Sequence, residues 1–381
     1  MTGLKRIFYI LLGLIFGVSQ VSASDAIIDC PNRDSAFSVD LPLLDILLNT
    51  EAEAILNTAL NERSKKLPED LLKKSVPSFT TIVAVSDLVG LLQLDSTFVP
   101  ELNNKLGRLI VSDIDRRARC ARYDNDQPLF ELTGNQKKIL VFQKINGFHH
   151  GNSVTMATSA IEELGKKLGW SVSITDKGGA FTPELLSQFD VVIWNNNSGD
   201  VLTMSQRNAF EEYINAGGGY LGIHGAGGDT RYYWEWYSKI LLGAQFTGHP
   251  GSPQFQRATL HVLDNPARIA KSLGRKVTLE DEWYSFQKSA RISGADIIVN
   301  LDESTYVPEG WHGEDISMGK DHPIVWSRCV GKGRAFYTAI GHRPDLYSSA
   351  ANLTLLEDAL LWAGGEINNY CDSEILKNRV E

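Results

Sequence analysis

The stretch from Gly217 to Gly228 constrains this chain more than any other, because a short apolar run, residues 220–223, is held between two glycine clusters. Such a run reads as a buried strand entered and left through tight turns. His224 then falls where the strand ends, which in an open α/β sheet is the edge where ligands bind. Some α/β enzymes place a Ser or Cys nucleophile at that strand-to-helix elbow. Here the position holds a histidine.

The flanking sequence sets the sheet type. Residues 138–143, 171–175 and 190–195 read as strands, 154–168 and 205–216 as helices, and Thr182-Pro183-Glu184 as the start of a short helix. Strands alternating with helices imply a parallel sheet with right-handed crossovers. The expected fold class is α/β, a doubly wound, mostly parallel sheet of flavodoxin type. Beyond Leu242 the pattern loosens: 255–263 and 295–301 read as strands, 322–330 and 334–340 as a hairpin around Gly331-Lys332-Gly333, and 352–363 as a closing helix.

Residues 24–135 differ in character and read as a small all-α domain. Leucines and alanines recur at helical spacing over 41–60, Pro68-Glu69-Asp70 opens another turn, and 80–94 and 101–123 add amphipathic runs. Arg116, Arg117, Arg119 and Arg122 crowd one helix end. They suit a solvated terminus better than an anion or partner site. The helical domain is the candidate docking surface for a protein partner, residues 124–136 form the linker, the α/β domain covers 136–366, and 367–381 are a tail.

At the N-terminus, Lys5-Arg6, the apolar run 7–18 and Val21-Ser22-Ala23 have the layout of a secretory signal cleaved after Ala23. Loss of Lys5 and Arg6 moves the formal net charge from −9 to −11. Such an acidic chain does not bind nucleic acid by charge. No later stretch is apolar enough for a transmembrane anchor, so the expectation is a periplasmic or secreted protein. Cys30, Cys120, Cys329 and Cys371 would meet an oxidising compartment and allow three pairings, of which Cys30–Cys120, bracketing the N-terminal region, is preferred.

Histidines and carboxylates collect at loops and strand ends: His149 and His150 after the first strand, His224 after the fourth, His249 before Pro250, the pair Asp281-Glu282, and His342 after the last strand. A strand points only one of two adjacent carboxylates inward. Neutral imidazoles with a carboxylate can hold a divalent metal, or can act as acid and base without one. No HExxH or other compact metal signature is present, and no GxGxxG follows the first strand. The run 232–237, Tyr-Tyr-Trp-Glu-Trp-Tyr, is aromatic on nearly every face of a helix, so some rings either pack on the sheet or line a cleft that stacks on sugars. Asn195 at the end of the third strand either binds hydroxyls or turns the chain.

Six blocks, Gly147-Phe148-His149-His150, Gly217 to His224, Phe246-Thr247-Gly248-His249-Pro250, Asp281-Glu282-Trp283-Tyr284, His322-Pro323-Ile324-Val325-Trp326 and Gly341-His342, together resemble the ThuA-like, or trehalose-utilisation, family over residues 137–365. The resemblance implies the class I glutamine amidotransferase-like fold. Glutaminases of that fold carry a Cys at the elbow, so His224 argues against glutaminase chemistry. By position in the family's motifs, His150 and Glu282 are the site members of their pairs. The implied function is action on a carbohydrate or keto-sugar derivative, with His150, His224, His249, Glu282 and His342 catalytic and Asn195, Tyr284 and Trp326 binding substrate. The alternative is a non-catalytic carbohydrate-binding module in the same cleft.

Overall fold

A computed structural model describes residues 27–367 and Cys371, apart from Ser96, Pro266 and His312. The expected signal sequence and nearly all of the tail lie outside the described residues. Among the described residues, no helix is long and apolar enough to cross a membrane.

The N-terminal region is helical, but in shorter pieces than the periodicity predicts. The run 41–60 splits into α1 (Leu43–Leu47) and α2 (Thr50–Leu60) because the Asn49 side chain accepts from the Ala52 amide and starts a new helix. The 101–123 run likewise splits into α3 (Phe98–Leu106) and α4 (Asp113–Cys120), where Ser112 and Asp115 form a reciprocal cap. Residues 80–94 form no α-helix; they hold only the 3-10 turns Phe79–Thr81 and Val85–Leu88. Phe37, Leu43, Ile46, Leu56, Leu102 and Leu106 form a hydrophobic core of their own. Two of the four clustered arginines are not solvated. Arg122 makes a buried bidentate pair with Asp45, at 2.6 and 3.2 Å, and Arg119 donates to the carbonyls of Asn32 and Ser35 over the ring of Phe37. Cys30 and Cys120 are disulfide-bonded, and so are Cys329 and Cys371.

The stretch 124–136 has no helix or strand, yet it is strapped down: Asp124 pairs with Lys144 and accepts from the Gly178 amide. The helical region also docks directly on the α/β unit. Thr81 Oγ1 donates to Asn146 O, Thr230 Oγ1 to Ile82 O, and Arg231 pairs with Asp87.

Nine strands make the main sheet: β1 (Lys138–Phe142), β2 (Ser171–Thr175), β3 (Val191–Asn195), β4 (Gly219–Ile223), β6 (Phe255–Val262), β7 (Lys276–Glu282), β9 (Asp296–Asp302), β10 (Pro323–Val330) and β11 (Gly333–Thr338). Their order is β2-β1-β3-β4-β11-β10-β9-β6-β7, and β5 (Phe246–Gly248) pairs separately with β8 (Ser285–Phe286). The five strands from β2 to β11 are mutually parallel, and each later neighbour is antiparallel. The parallel half is hydrophobic throughout: Ile139 to Phe142 and Val191 to Ile193 are fully buried, as strands covered on both faces must be. The helices α5 (Asn152–Leu168), α6 (Pro183–Leu186), α7 (Met204–Ala216) and α8 (Ala350–Ala363) cover it. Consecutive residues of β3 separate the faces. Trp194 stacks on Phe210 of α7, whereas Asn195 donates to Val154 O of α5.

In sheet order, three strands separate β11 from β7. Even so, Asp281 on β7 accepts from the amides of Gly341 and Arg343, just past β11, at 2.7 and 3.1 Å. The antiparallel wing therefore curls back over the carboxyl edge of the parallel half.

Candidate active site

The elbow is the fixed point. His224 is fully buried with φ +43°, a left-handed conformation uncommon for histidine and held only where surroundings enforce it. Two bonds enforce it. The Tyr337 hydroxyl donates to His224 O at 2.8 Å, and His224 Nδ1 lies 2.7 Å from Ala339 O. A carbonyl can only accept, so Nδ1 carries a proton and Nε2 is the nitrogen turned to the cluster. Glycine is needed next to it. A Cβ on Gly225 would lie 2.6 Å from His150 Cε1, and one on Gly228 would lie 2.6 Å from the Tyr284 hydroxyl.

The other groups converge from strand ends far apart in sequence. His342 Nδ1 is 2.9 Å from Glu282 Oε2, and His224 Nε2 is 3.3 Å from the same oxygen. The second contact is not aligned as a hydrogen bond, and His224 Nε2 has no partner otherwise. His249 Nδ1 approaches Glu282 Oε1 at 3.2 Å, and Gln254 donates to that oxygen. The ring of His150 is 4.8 Å from those of His224 and His342, and its Nδ1 is buried without a partner. Tyr284 stacks on His224 at 4.2 Å with its hydroxyl 3.4 Å from His150 Nε2. Nitrogens of His150, His224 and His342 and an oxygen of Glu282 all lie within 4.8 Å of one another, so these four could hold a metal ion.

Electrostatics separates the roles. Burial pushes the Glu282 carboxyl up, but the imidazoles of His224 and His342 beside it win and hold it well below the usual carboxylate range. Burial, reinforced by the neighbouring imidazoles, pushes His150 well below the ordinary histidine value, so it is neutral. Burial raises the Tyr284 phenol well above its usual value, which keeps it a donor.

Of the residues singled out in the sequence, His150, His224, His249, Glu282, Tyr284 and His342 are brought together. Asn195 and Trp326 are not. Asn195 is fully buried, and its amide is engaged by Val154 O, Thr158 Oγ1 and Asn196 on the α5 side of the sheet. Trp326 is 1% exposed, donates to Leu242 O and packs on Phe286 and Tyr337 as core. His149 turns away and accepts from the Gly151 amide. Trp234 and Tyr237 pack on Trp194 around a π-helical turn, Trp236–Leu242, rather than lining the centre.

Several contributors were not assigned to the site from the sequence. Buried His322 pairs with half-buried Glu303 at 2.6 Å, and its other nitrogen is 2.8 Å from Tyr284 O, which fixes that residue. The ring of Phe255 meets His342 and that of Trp311 meets His249, at 5.0 and 6.1 Å. These rings are 36% and 62% exposed, so they mark the solvent side of the centre. A separate cavity of about 480 Å³, lined by Lys137, Asp190, Tyr213 and Arg334, opens at the opposite edge of the sheet and takes no part.

The sequence profile of a family described as ThuA, trehalose utilisation, matches residues 138–363. A solved ThuA-like protein of Bacteroides uniformis is 25% identical, with a TM-score of 0.52 over 62% of this chain and 95% of that one. A second ThuA-like protein, of Parabacteroides merdae, is 16% identical, with a TM-score of 0.44 over 61% of this chain and 91% of that one. No curated protein matches the sequence.

Proposed function

Because this chain belongs to the ThuA, or trehalose-utilisation, family, we propose that it is an exported enzyme acting on a carbohydrate or keto-sugar derivative. The observation that carries this reading is Glu282: a nearly fully buried carboxylate met by His224, His249 and His342 behind the exposed rings of Trp311 and Phe255. Aromatic faces at the mouth suit the apolar face of a pyranose, and the polar groups behind them suit proton transfer. In this reading an imidazole beside Glu282 takes a proton next to a sugar carbonyl, or from an attacking water. Tyr284, protonated and in contact with His150, donates to the oxygen that gains charge. The two disulfides fit an oxidising compartment, which supports export.

The exposed Trp311 and Phe255 also suit a second reading, in which the cleft holds a sugar without converting it. One experiment separates the two. A panel of mono- and disaccharides and their keto derivatives is tested for binding by calorimetry and for conversion by product analysis. The enzyme reading expects conversion that His224→Ala abolishes while binding persists. Binding with no conversion by the wild type overturns it in favour of the module.

A further inference from the structure

We propose that His150, His224, His342 and Glu282 form a binding site for one divalent first-row transition-metal ion. The inference stands whether or not the substrate is a sugar.

The first argument is a missing positive charge. His224 gives its Nδ1 proton to Ala339 O, so as a neutral ring it would face Glu282 Oε2 at 3.3 Å with the lone pair of Nε2. Two such atoms attract only if a cation lies between them. A shared proton is poorly served here, because the pair is not aligned as a hydrogen bond and Nε2 has no other partner. An ion held by both is off the line joining them, which the geometry accommodates. Glu282 is 2% exposed, and among the described residues its ion-pair partners are imidazoles alone, with no Lys or Arg to neutralise it.

Spacing is the second argument. Donors about 2.1 Å from a common ion sit about 3.4 Å apart in a tetrahedron and about 3.0 Å apart at neighbouring octahedral positions. Of the separations from Glu282 Oε2, 3.3 Å to His224 falls in that range and 2.9 Å to His342 lies just below it. His150 completes the set within 4.8 Å, and its own Nδ1 is buried and unpartnered.

The surroundings supply the third argument. Metal-bound histidines characteristically give their other ring nitrogen to a carbonyl or carboxylate, which sets tautomer and orientation. His224 does this with Ala339 O, and Gln254 and His249 hold the second oxygen of Glu282. Three imidazoles with one carboxylate select zinc, manganese, iron(II) or cobalt(II) over calcium and magnesium, which take oxygen ligands.

The test uses the full chain and needs no substrate. Protein stripped with a chelator is titrated with Co²⁺ and, separately, with Zn²⁺, and bound metal is counted by elemental analysis. The expected result is about one ion per chain, with visible ligand-field absorption for Co²⁺. Glu282→Gln and His224→Ala should each weaken binding by more than the ~10–100-fold that loss of an outer-shell partner costs. Near-UV circular dichroism establishes that each variant is folded, and Ile110→Ala, at the exposed surface of the helical region, should bind metal as the wild type does. Sub-stoichiometric metal without Co²⁺ absorption in folded wild-type protein overturns the proposal and leaves a hydrogen-bonded His–Glu–His array. Absorption that survives in both folded ligand variants overturns it too.

Discussion

Asp281 and Glu282 are adjacent on β7 and both buried, yet their carboxylates end in opposite environments. Asp281 accepts two backbone amides beyond β11, whereas Glu282 ends among imidazoles. Their substitutions should therefore fail in different ways. Glu282→Gln keeps shape but loses the charge that the imidazoles favour, so it should lower the denaturation midpoint modestly while cutting turnover on the order of 10²–10⁴-fold. Asp281→Ala strands the amides of Gly341 and Arg343 and should cost about 1–3 kcal/mol of stability. Urea unfolding beside steady-state turnover tells them apart; equal effects on both quantities would refute the division of labour.

Gly225→Ala puts a methyl 2.6 Å from His150 Cε1 in a site with no slack. Overpacking of this kind costs about 1–3 kcal/mol, and the ring that must move belongs to the centre. The variant should fold with a lower melting temperature and lose metal affinity and turnover together. A variant that matches wild type in all three would show that the close approach carries no consequence.

Asp229 gives the stability a pH dependence. Burial, opposed by the Ser198 hydroxyl and the Gly199 amide, pushes its carboxyl up to about 7. The folded state then holds a proton that the unfolded chain has released above its ordinary value of 3.8. The contribution is complete below about pH 4 and is lost as pH rises towards about 7. Asp229→Asn, which preserves shape, should flatten that slope. Urea midpoints at about pH 5 and about pH 8 check it, and an unchanged slope would exclude Asp229 as its source.

In the helical region, Arg122→Met leaves the Asp45 carboxylate buried without its bidentate partner. The expected loss is about 3–5 kcal/mol, and Asp45→Leu added to it should recover much of that, because an apolar pair needs no desolvation. Single and double variants in denaturant unfolding test the cycle. A double variant no better than the single would place the cost elsewhere.

Trp311→Ala removes an exposed ring at the mouth and should raise KM about fivefold for a converted sugar with little change in kcat, since ring stacking contributes about 1 kcal/mol. A fall in kcat at unchanged KM would contradict a binding role.

The parallel half was legible because its strands are short apolar runs bounded by glycines and caps, and β1 to β4 fall within a residue or so of the pattern. His150, His224 and His342 were legible for the same reason, since each follows a strand that periodicity locates. The helical region misled because apolar spacing continues across Asn49 and Ser112, where side-chain caps restart the helix. Asn195 and Trp326 misled differently. A polar or aromatic residue at a strand end looks available until its hydrogen bonds are counted, and both sets are filled internally. His322 with Glu303, and Gln254 on Glu282, could not be paired from sequence, because their partners lie on separate segments that only the folded wing brings together.

The curled wing has a consequence for when the centre comes into being. His150, His224 and His342 follow β1, β4 and β11 of the parallel half, whereas Glu282 arrives on β7 with the wing that must fold back across its edge. Until that return is made, the chain carries imidazoles without the carboxylate that draws them together around one point. Occupancy of the centre is thus a certificate of completed folding.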